Sequence, residues 1–213
     1  MEEKVAEVRK VQVERVIKAL QRNQIHGYYV AKKEDVVAKV QELLKEGDRV
    51  AVGGSQTLFA AGVIDHLRSG RYTFYDRYQP GLTPGEIDDI HRMAFGADAY
   101  LCSCNAVTLS GEIYNVDGNG NRVAATIFGP KRVIMVVGVN KIVRDLEAAS
   151  ERVRMLAAPA NVMRFGLNNP CASYGKCANC HEPTRICCSY VTIGFQRDPQ
   201  RMHVIFVGEE LGY

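Results

Sequence analysis

Short apolar segments alternate with amphipathic segments along most of this chain, and this alternation restricts the possible folds more than any other feature. The apolar segments predict strands at 28–31, 49–53, 72–76, 99–107, 112–116, 132–138 and 203–208. The amphipathic segments predict helices at 3–24, 35–45, 57–68, 83–95, 123–128 and 145–156. Strands that alternate with helices form a largely parallel sheet covered by helices on both faces. The sequence therefore predicts an α/β fold.

Length and composition indicate one globular domain. The 213 residues suit a single domain over 1–213, with an N-terminal helix within 1–26 and a cysteine-rich insertion at 168–190. A net charge of +3 does not build the basic surface of a dedicated nucleic-acid binder, so we expect no nucleic acid as a partner. We expect no membrane span, because no run approaches roughly 18 apolar residues. The charged first twenty residues do not resemble a signal peptide, so we expect a cytoplasmic protein.

A glycine- and serine-containing loop follows the predicted strand 49–53. Gly53, Gly54, Ser55 and Thr57 lie between this strand and the next helix. Ligands of open α/β sheets bind at the carboxyl ends of strands, and glycines let the backbone approach an anion closely. These four residues are therefore predicted to bind a phosphate or a carboxylate. An ordinary strand-to-helix turn with a serine or threonine N-cap is the alternative.

Small polar residues are also concentrated around the predicted strands 99–107 and 112–116. Asn105, Thr108 and Asn121 offer hydrogen bonds, and Arg122 beside a glycine-rich turn is a candidate anion clamp. The Asp-Gly and Asn-Gly pairs of 117–120 are also typical of a hairpin turn, which is the alternative interpretation.

Basic and amide side chains stand at both ends of the predicted strand 132–138. Lys131 precedes this strand, and Asn140 and Lys141 follow it. We include all three among the predicted ligand-binding residues. A lysine at a strand end is more often solvated, so the alternative is that Lys131 and Lys141 face water.

Five of the seven cysteines fall between positions 171 and 188, in the pattern C-x5-C-x2-C-x6-C-C. A reducing cytoplasm disfavours disulfides and leaves thiols available as metal ligands. We predict a four-thiolate site formed by Cys171, Cys177, Cys180 and Cys187, because Cys188 directly follows Cys187 and adjacent side chains point apart. A [4Fe–4S] cluster and a zinc ion both accept such ligands, and thiol–disulfide switching is a further alternative.

Several segments together are similar to the lactate-utilisation (LUD) domain family. They are VAVGGSQTL, GADAYLCSCNAVTLSGEIYNVDGNGNR, FGPKRVIMVVGVNKIV and VIFVGEELGY. The resemblance implies a Rossmann-like three-layer sandwich resembling the sugar-phosphate isomerase and coenzyme A-transferase superfamily. It also implies iron–sulfur redox partner proteins, and it favours the iron–sulfur cluster over zinc.

Three functions follow from these observations. The first is a redox-associated protein that binds a small anionic or phosphorylated ligand, carries an iron–sulfur cluster and takes part in 2-hydroxy acid metabolism. The second is an isomerase- or transferase-like enzyme with structural zinc, in which Glu112 or Asp117 is the acid or base. The third is a ligand-sensing subunit without catalysis. The sequence leaves open whether the protein is an enzyme, and a homo-oligomer is compatible with it.

Overall fold

The computed structural model describes residues 2–213 and contains two β-sheets. The larger sheet has six parallel strands in the order β1-β10-β7-β4-β2-β3. Its strands are β1 (His26–Val30), β2 (Arg49–Val52), β3 (Thr73–Tyr75), β4 (Ala99–Cys102), β7 (Arg132–Gly138) and β10 (Met202–Val207). The smaller sheet, in the order β8-β5-β6-β9, contains β5 (Ala106–Thr108), β6 (Ile113–Asp117), β8 (Ile142–Val143) and β9 (Ser189–Ile193).

Nine α-helices are present among the described residues. They are α1 (Glu2–Arg22), α2 (Val36–Leu43), α3 (Gln56–Ala60), α4 (Val63–Leu67), α5 (Pro84–Met93), α6 (Asn121–Ile127), α7 (Leu146–Arg152), α8 (Ala158–Arg164) and α9 (Pro170–Tyr174). A π-helical segment, Val153–Ala157, joins α7 to α8. Helix α5 begins with a capping box, in which Thr83 and Glu86 cap each other reciprocally. No helix in the described part is long and apolar enough to cross a bilayer.

The central strand β7 shows why the larger sheet is buried on both faces. Its residues alternate between two cores: Val133, Met135 and Val137 belong to one, and Ile134 and Val136 to the other. The alternation follows from the two-residue period of a strand, and a parallel strand covered on both faces needs apolar residues at every position. The predicted mixed α/β fold with a mostly parallel sheet is thus confirmed.

Different elements cover the two faces of the larger sheet. One face packs against α2, α3 and α4, through residues such as Val40, Leu58 and Ile64. The other face packs against α1 and against the smaller sheet, for example through Leu20 and Ile113. The outer face of the smaller sheet is covered in turn by α7, the π-helical segment and the start of α8. The protein therefore has a partial fourth layer that the predicted three-layer arrangement lacked.

Four local predictions need correction. The predicted strand 99–107 is two strands, β4 and β5, which belong to different sheets. The predicted helix 57–68 is divided into α3 and α4 by Gly62, whose φ of 68° lies in the left-handed region. The turn at 117–120 leads from β6 into α6 and is not a hairpin. Strand β9 was not predicted, so the cysteine-rich segment precedes the last two strands.

Replacing the buried Ile134 of β7 tests the position of this core. Ile134 is fully buried, whereas Ile127, at the end of α6, is 54% exposed and provides a matched control. We expect Ile134→Ala to lower the free energy of unfolding by about 2–5 kcal/mol, because it leaves a cavity between two packed layers. Ile127→Ala should change it by less than about 0.5 kcal/mol. Urea denaturation of both variants measures the difference, and equal losses would contradict this assignment of the core.

Candidate functional site

The main cavity lies at the carboxyl ends of the strands. It encloses about 1120 Å³, including its open mouth. Segments that follow β2, β3, β4, β6 and β7 contribute to its wall, together with the segment after β10. Because the strands of the larger sheet are parallel, all their carboxyl ends reach one edge, where α/β proteins bind ligands.

Two neighbouring strands cross from the larger sheet to the smaller one beside this cavity. Strand β4 continues through residues 103–105 into β5, and β7 continues through residues 139–141 into β8. The two pairs stay adjacent, since β4 pairs with β7 and β5 pairs with β8. Ser103 and Lys141 lie in the two crossings, and the Lys141 Nζ is 3.0 Å from the Ser103 Oγ.

Lys141 is buried in the cavity wall, with only 2% of its surface exposed. Its Nζ donates to the Ser103 Oγ and, at 3.2 Å, to the Thr57 Oγ1. Within residues 2–213, no carboxylate forms an ion pair with it. Burial, together with the nearby charges of Arg152 and Arg122, lowers the pKa of Lys141 to about 8.

The glycine-serine loop contributes Gly54, Ser55 and Thr57 to the cavity wall. The Ser55 hydroxyl accepts from the Leu58 N–H at 3.3 Å and so caps α3, as the alternative interpretation proposed. Gly53 lies behind the wall. A Cβ atom there would come within 2.9 Å of the Tyr100 hydroxyl, so packing alone accounts for this glycine.

Arg122 lines the cavity, but its donors are directed at the protein. The guanidinium donates to the Ser103 carbonyl at 3.1 Å, to the Val116 carbonyl at 2.8 Å and to the Asn115 Oδ1. Its Nε lies 3.7 Å from the Asp117 carboxylate. These contacts join the end of β6 to the crossing after β4. Arg122 therefore fixes the shape of the cavity and is charge-balanced by Asp117.

Two further predicted residues lie in this part of the wall. Asn105 accepts from the Val116 N–H at 2.8 Å, and Asn121 begins α6. The Asp117 carboxylate accepts from the Val123 N–H at 3.1 Å, which caps the start of α6. Of the two candidate acid or base residues, Asp117 is thus at the cavity.

The structure does not bring the remaining predicted residues to the cavity. Thr108 and Glu112 hydrogen-bond to each other at 2.9 Å, in the turn between β5 and β6. Lys131 stands at the amino end of β7 and pairs with Asp98 at 3.1 Å. Asn140 holds the last residues of the chain, donating to the Gly212 carbonyl at 3.0 Å.

A second, smaller cavity contains the cysteine site. All four predicted ligands line it: Cys171, Cys177, Cys180 and Cys187. The cavity encloses about 320 Å³, including its mouth, and Ala158, Val162 and Ile186 form apolar parts of its wall. Cys188 is exposed and does not line it, and neither does His181. Cys187, Ile186 and Ala158 line both cavities, so the two sites share a wall.

Polar contacts surround the four thiols. The Asn179 N–H donates to the Cys177 Sγ at 3.3 Å, and the Asn169 amide lies 3.8 Å from the Cys180 Sγ. Burial and the neighbouring thiols raise the pKa of Cys187 to about 11. Among residues 2–213, no group of three or more His, Cys, Asp or Glu side chains is arranged to hold a single metal ion. The four cysteines thus share one cavity wall without converging on a single point.

Residues 13–207 match the LUD domain family model. The chain belongs to the LUD domain family. The match includes the cysteine-rich segment as well as the strand ends that form the main cavity.

Solved structures resemble this LUD domain at low sequence identity. A DUF162 family protein from Deinococcus radiodurans is 17% identical, with a TM-score of 0.51; the alignment covers 93% of this chain and 98% of that one. The tetrameric eIF2B-beta2-delta2 complex from Chaetomium thermophilum matches over 82% of this chain and 55% of that one, with 12% identity and a TM-score of 0.41. No curated protein matches this chain. The first similarity supports the fold alone.

Sequence reasoning missed two basic residues in the wall of this LUD domain's cavity, Arg77 and Arg164. The Arg77 guanidinium lies 5.4 Å from the centroid of the Tyr78 ring, two residues after the end of β3. Arg164 stacks on the Phe165 ring at 4.0 Å. Neither forms an ion pair with a carboxylate of the described residues. The position of Arg77 after a strand could have identified it, whereas Arg164 lies on a helix that gave no such signal.

Burial of Lys141 without a counter-charge predicts an unusual effect of its removal. Lys141→Met should raise the free energy of unfolding at pH 7 by about 1–3 kcal/mol, because it removes the cost of burying the charge. At pH values between the folded-state pKa of about 8 and the ordinary lysine value, the unfolded wild type binds more protons than the folded wild type. The wild type therefore becomes more stable as the pH rises through this range. The gain should therefore shrink as the pH rises through that window.

Urea denaturation at pH 7 and at higher pH measures this gain. Lys131→Met, which changes an exposed lysine, is the control and should leave stability within about 0.5 kcal/mol of the wild type. A destabilised Lys141→Met variant at pH 7 would show that the buried ammonium is compensated by the protein itself.

Proposed function

We propose that this LUD domain binds a small anionic ligand, a carboxylate or a phosphate, in the main cavity and holds an iron–sulfur cluster in the adjoining cysteine cavity. In this proposal, the two sites serve the redox metabolism of 2-hydroxy acids, in keeping with a lactate-utilisation family. The observation that carries the proposal is an excess of basic over acidic side chains in the cavity wall.

The charge balance of the main cavity favours an anion. Lys141, Arg77, Arg122 and Arg164 line it, against the single acidic side chain of Asp117. Arg122 is paired with Asp117. Of the other three cations, Lys141 is buried and Arg77 is half-buried, whereas Arg164 is exposed to solvent. A buried or half-buried cation is costly unless an opposite charge or hydrogen-bond acceptors compensate it. A ligand carboxylate or phosphate supplies both, and arginine geometry suits either group.

The two unpaired arginines are expected to determine anion affinity. We predict that Arg77→Ala and Arg164→Ala each weaken binding of lactate or of inorganic phosphate by about tenfold or more, the usual effect of losing a charge-assisted hydrogen bond. Lys131→Ala, which removes a cation at the far end of β7, should leave affinity unchanged. Isothermal titration calorimetry measures the three affinities. Absence of binding by both probes to the wild type would refute the proposal.

The cysteine cavity has the ligands that a cluster needs. Its four thiols are the Cys₄ ligand set of an iron–sulfur cluster, and zinc accepts the same set. The iron–sulfur partners that the family resemblance implies favour the cluster. Hydrogen bonds from backbone and amide groups to the sulfurs are typical of cluster sites, where they tune the reduction potential.

The wall shared by the two cavities would bring a cluster close to a ligand in the main cavity. A cluster in the cysteine cavity would supply one-electron transfer. Cys187 and Ile186 separate the two cavities, so electrons would pass between cluster and ligand through a single layer of side chains. Iron–sulfur redox proteins are the partners we propose for the next transfer.

Iron content tests the cluster directly. Protein purified without oxygen should be brown and contain iron and acid-labile sulfide, and Cys171→Ser, Cys177→Ser, Cys180→Ser and Cys187→Ser should each lose most of it. Cys188→Ser is the matched control and should retain the wild-type content, since this exposed side chain points away from the cavity. Metal analysis and visible spectroscopy provide the measurement. Colourless protein with one zinc ion per chain would favour the structural-zinc alternative.

A further inference from the structure

Lys141 has surroundings that differ from those of a lysine that only attracts an anion. Both hydroxyls that hold its Nζ direct their own hydrogens elsewhere. The Thr57 Oγ1 donates to the Leu211 carbonyl, and the Ser103 Oγ donates to the Cys104 carbonyl, each at 3.4 Å. The lone pairs of both hydroxyls are therefore available to Lys141, which acts as the donor in both contacts.

This arrangement fixes the orientation of the nitrogen. Of the four tetrahedral directions around the Nζ, one is the bond to Cε and two are N–H groups engaged by Thr57 and Ser103. A neutral amine has its lone pair in the one direction that remains. Among the described residues no further partner engages the nitrogen, and Lys141 lines the cavity.

The neutral form of Lys141 is accessible near neutral pH. With a pKa of about 8, about a tenth of the molecules carry the free amine at pH 7. An ordinary lysine, with a pKa near 10.4, has less than about one neutral molecule in a thousand at that pH. Burial and neighbouring cations are the means by which enzymes prepare lysines as nucleophiles.

We propose that Lys141 is a nucleophile that forms an imine with an anionic carbonyl compound bound in the main cavity. The Nζ attacks the carbonyl carbon and forms a C–N bond, and a proton passes from nitrogen to the carbonyl oxygen to give a carbinolamine. Loss of that oxygen as water then breaks the C–O bond and leaves the imine. One amine and one carbonyl give one imine and one water, with no change in oxidation state.

The substrate class follows from the rest of the wall. Arg77 and Arg164 hold the anionic group, and Lys141 takes the carbonyl. A 2-oxo acid and a phosphorylated ketone both combine these groups. This inference rests on the proposed anion site, and it is compatible with 2-hydroxy acids, because oxidation of a 2-hydroxy acid gives a 2-oxo acid.

Reductive trapping of the full-length wild-type protein tests the proposal. The protein is incubated with glyoxylate or with dihydroxyacetone phosphate and sodium cyanoborohydride, which reduces an imine to a stable secondary amine. Peptide mapping by mass spectrometry then locates the adduct. We expect labelling at Lys141 to exceed that at any other lysine by about tenfold or more, as an activated amine requires. The probe that labels better distinguishes an oxo acid from a phosphorylated ketone.

Two variants provide controls. Lys141→Arg keeps the positive charge but cannot form the imine, so it should lose the specific adduct. Lys131→Arg should label like the wild type. In the wild type, binding of a probe without an adduct at Lys141, or labelling spread evenly over surface lysines, overturns the imine but leaves the anion site intact. Absence of binding by both probes and by phosphate overturns both proposals.

Discussion

The hydrogen bonds of the Lys141 Nζ to Thr57 and Ser103 are the contacts on which the rest of the site depends. They connect the two segments through which β4 and β7 leave the larger sheet, and they tie both to the loop after β2. Each segment must leave the sheet at the same level so that β5 and β8 can pair in the smaller sheet. A single buried side chain thus spans three strand ends at the floor of the cavity.

Two cations in the same cavity wall differ in whether the protein compensates their charge. Arg122 donates to carbonyl groups and an amide of the protein and faces Asp117, so its charge is satisfied without a ligand. Lys141 has only neutral hydroxyls as partners and no carboxylate among the described residues. A protein gains nothing in stability from such a charge. The proposed anion site accounts for its presence, and functional sites commonly carry this kind of cost.

The cysteine-rich segment is attached to the same framework. It enters from α8 and leaves into β9, whose pairing with β6 begins at Asp117 and Ser189. The Cys188 N–H donates to the Asp117 carbonyl at 2.9 Å, which directs Cys187 towards the interior and Cys188 towards solvent. Arg185 closes the loop by donating to the Cys187 carbonyl at 2.8 Å and to that of Cys180. The thiols adjoin the main cavity because Ile186 and Cys187, shortly before β9, line both cavities.

The sequence by itself determined the α/β class, most of the helices and strands, the N-terminal helix and the four cysteines that share a cavity. These features depend on local periodicity and on the spacing of like residues, which are visible in the sequence without knowledge of tertiary contacts. It also identified Lys141 and the loop 53–57, because both follow apolar strands. The sequence also predicted Glu112, Thr108 and Lys131 as site residues, although they lie outside the main cavity.

Only the tertiary structure decided which of these polar residues meet. The segment 99–107 was predicted as one strand because it is apolar at both ends and almost wholly buried, although the polar Ser103 and Asn105 lie where β4 ends and β5 begins. That crossing turns Ser103 towards Lys141 and separates Thr108 from the cavity. Arg164 reaches the site from α8, far along the chain, since packing across layers brings together residues that share no local pattern. Whether a cation has a carboxylate beside it, as Arg122 does and Lys141 does not, likewise depends on neighbours that only the fold brings together.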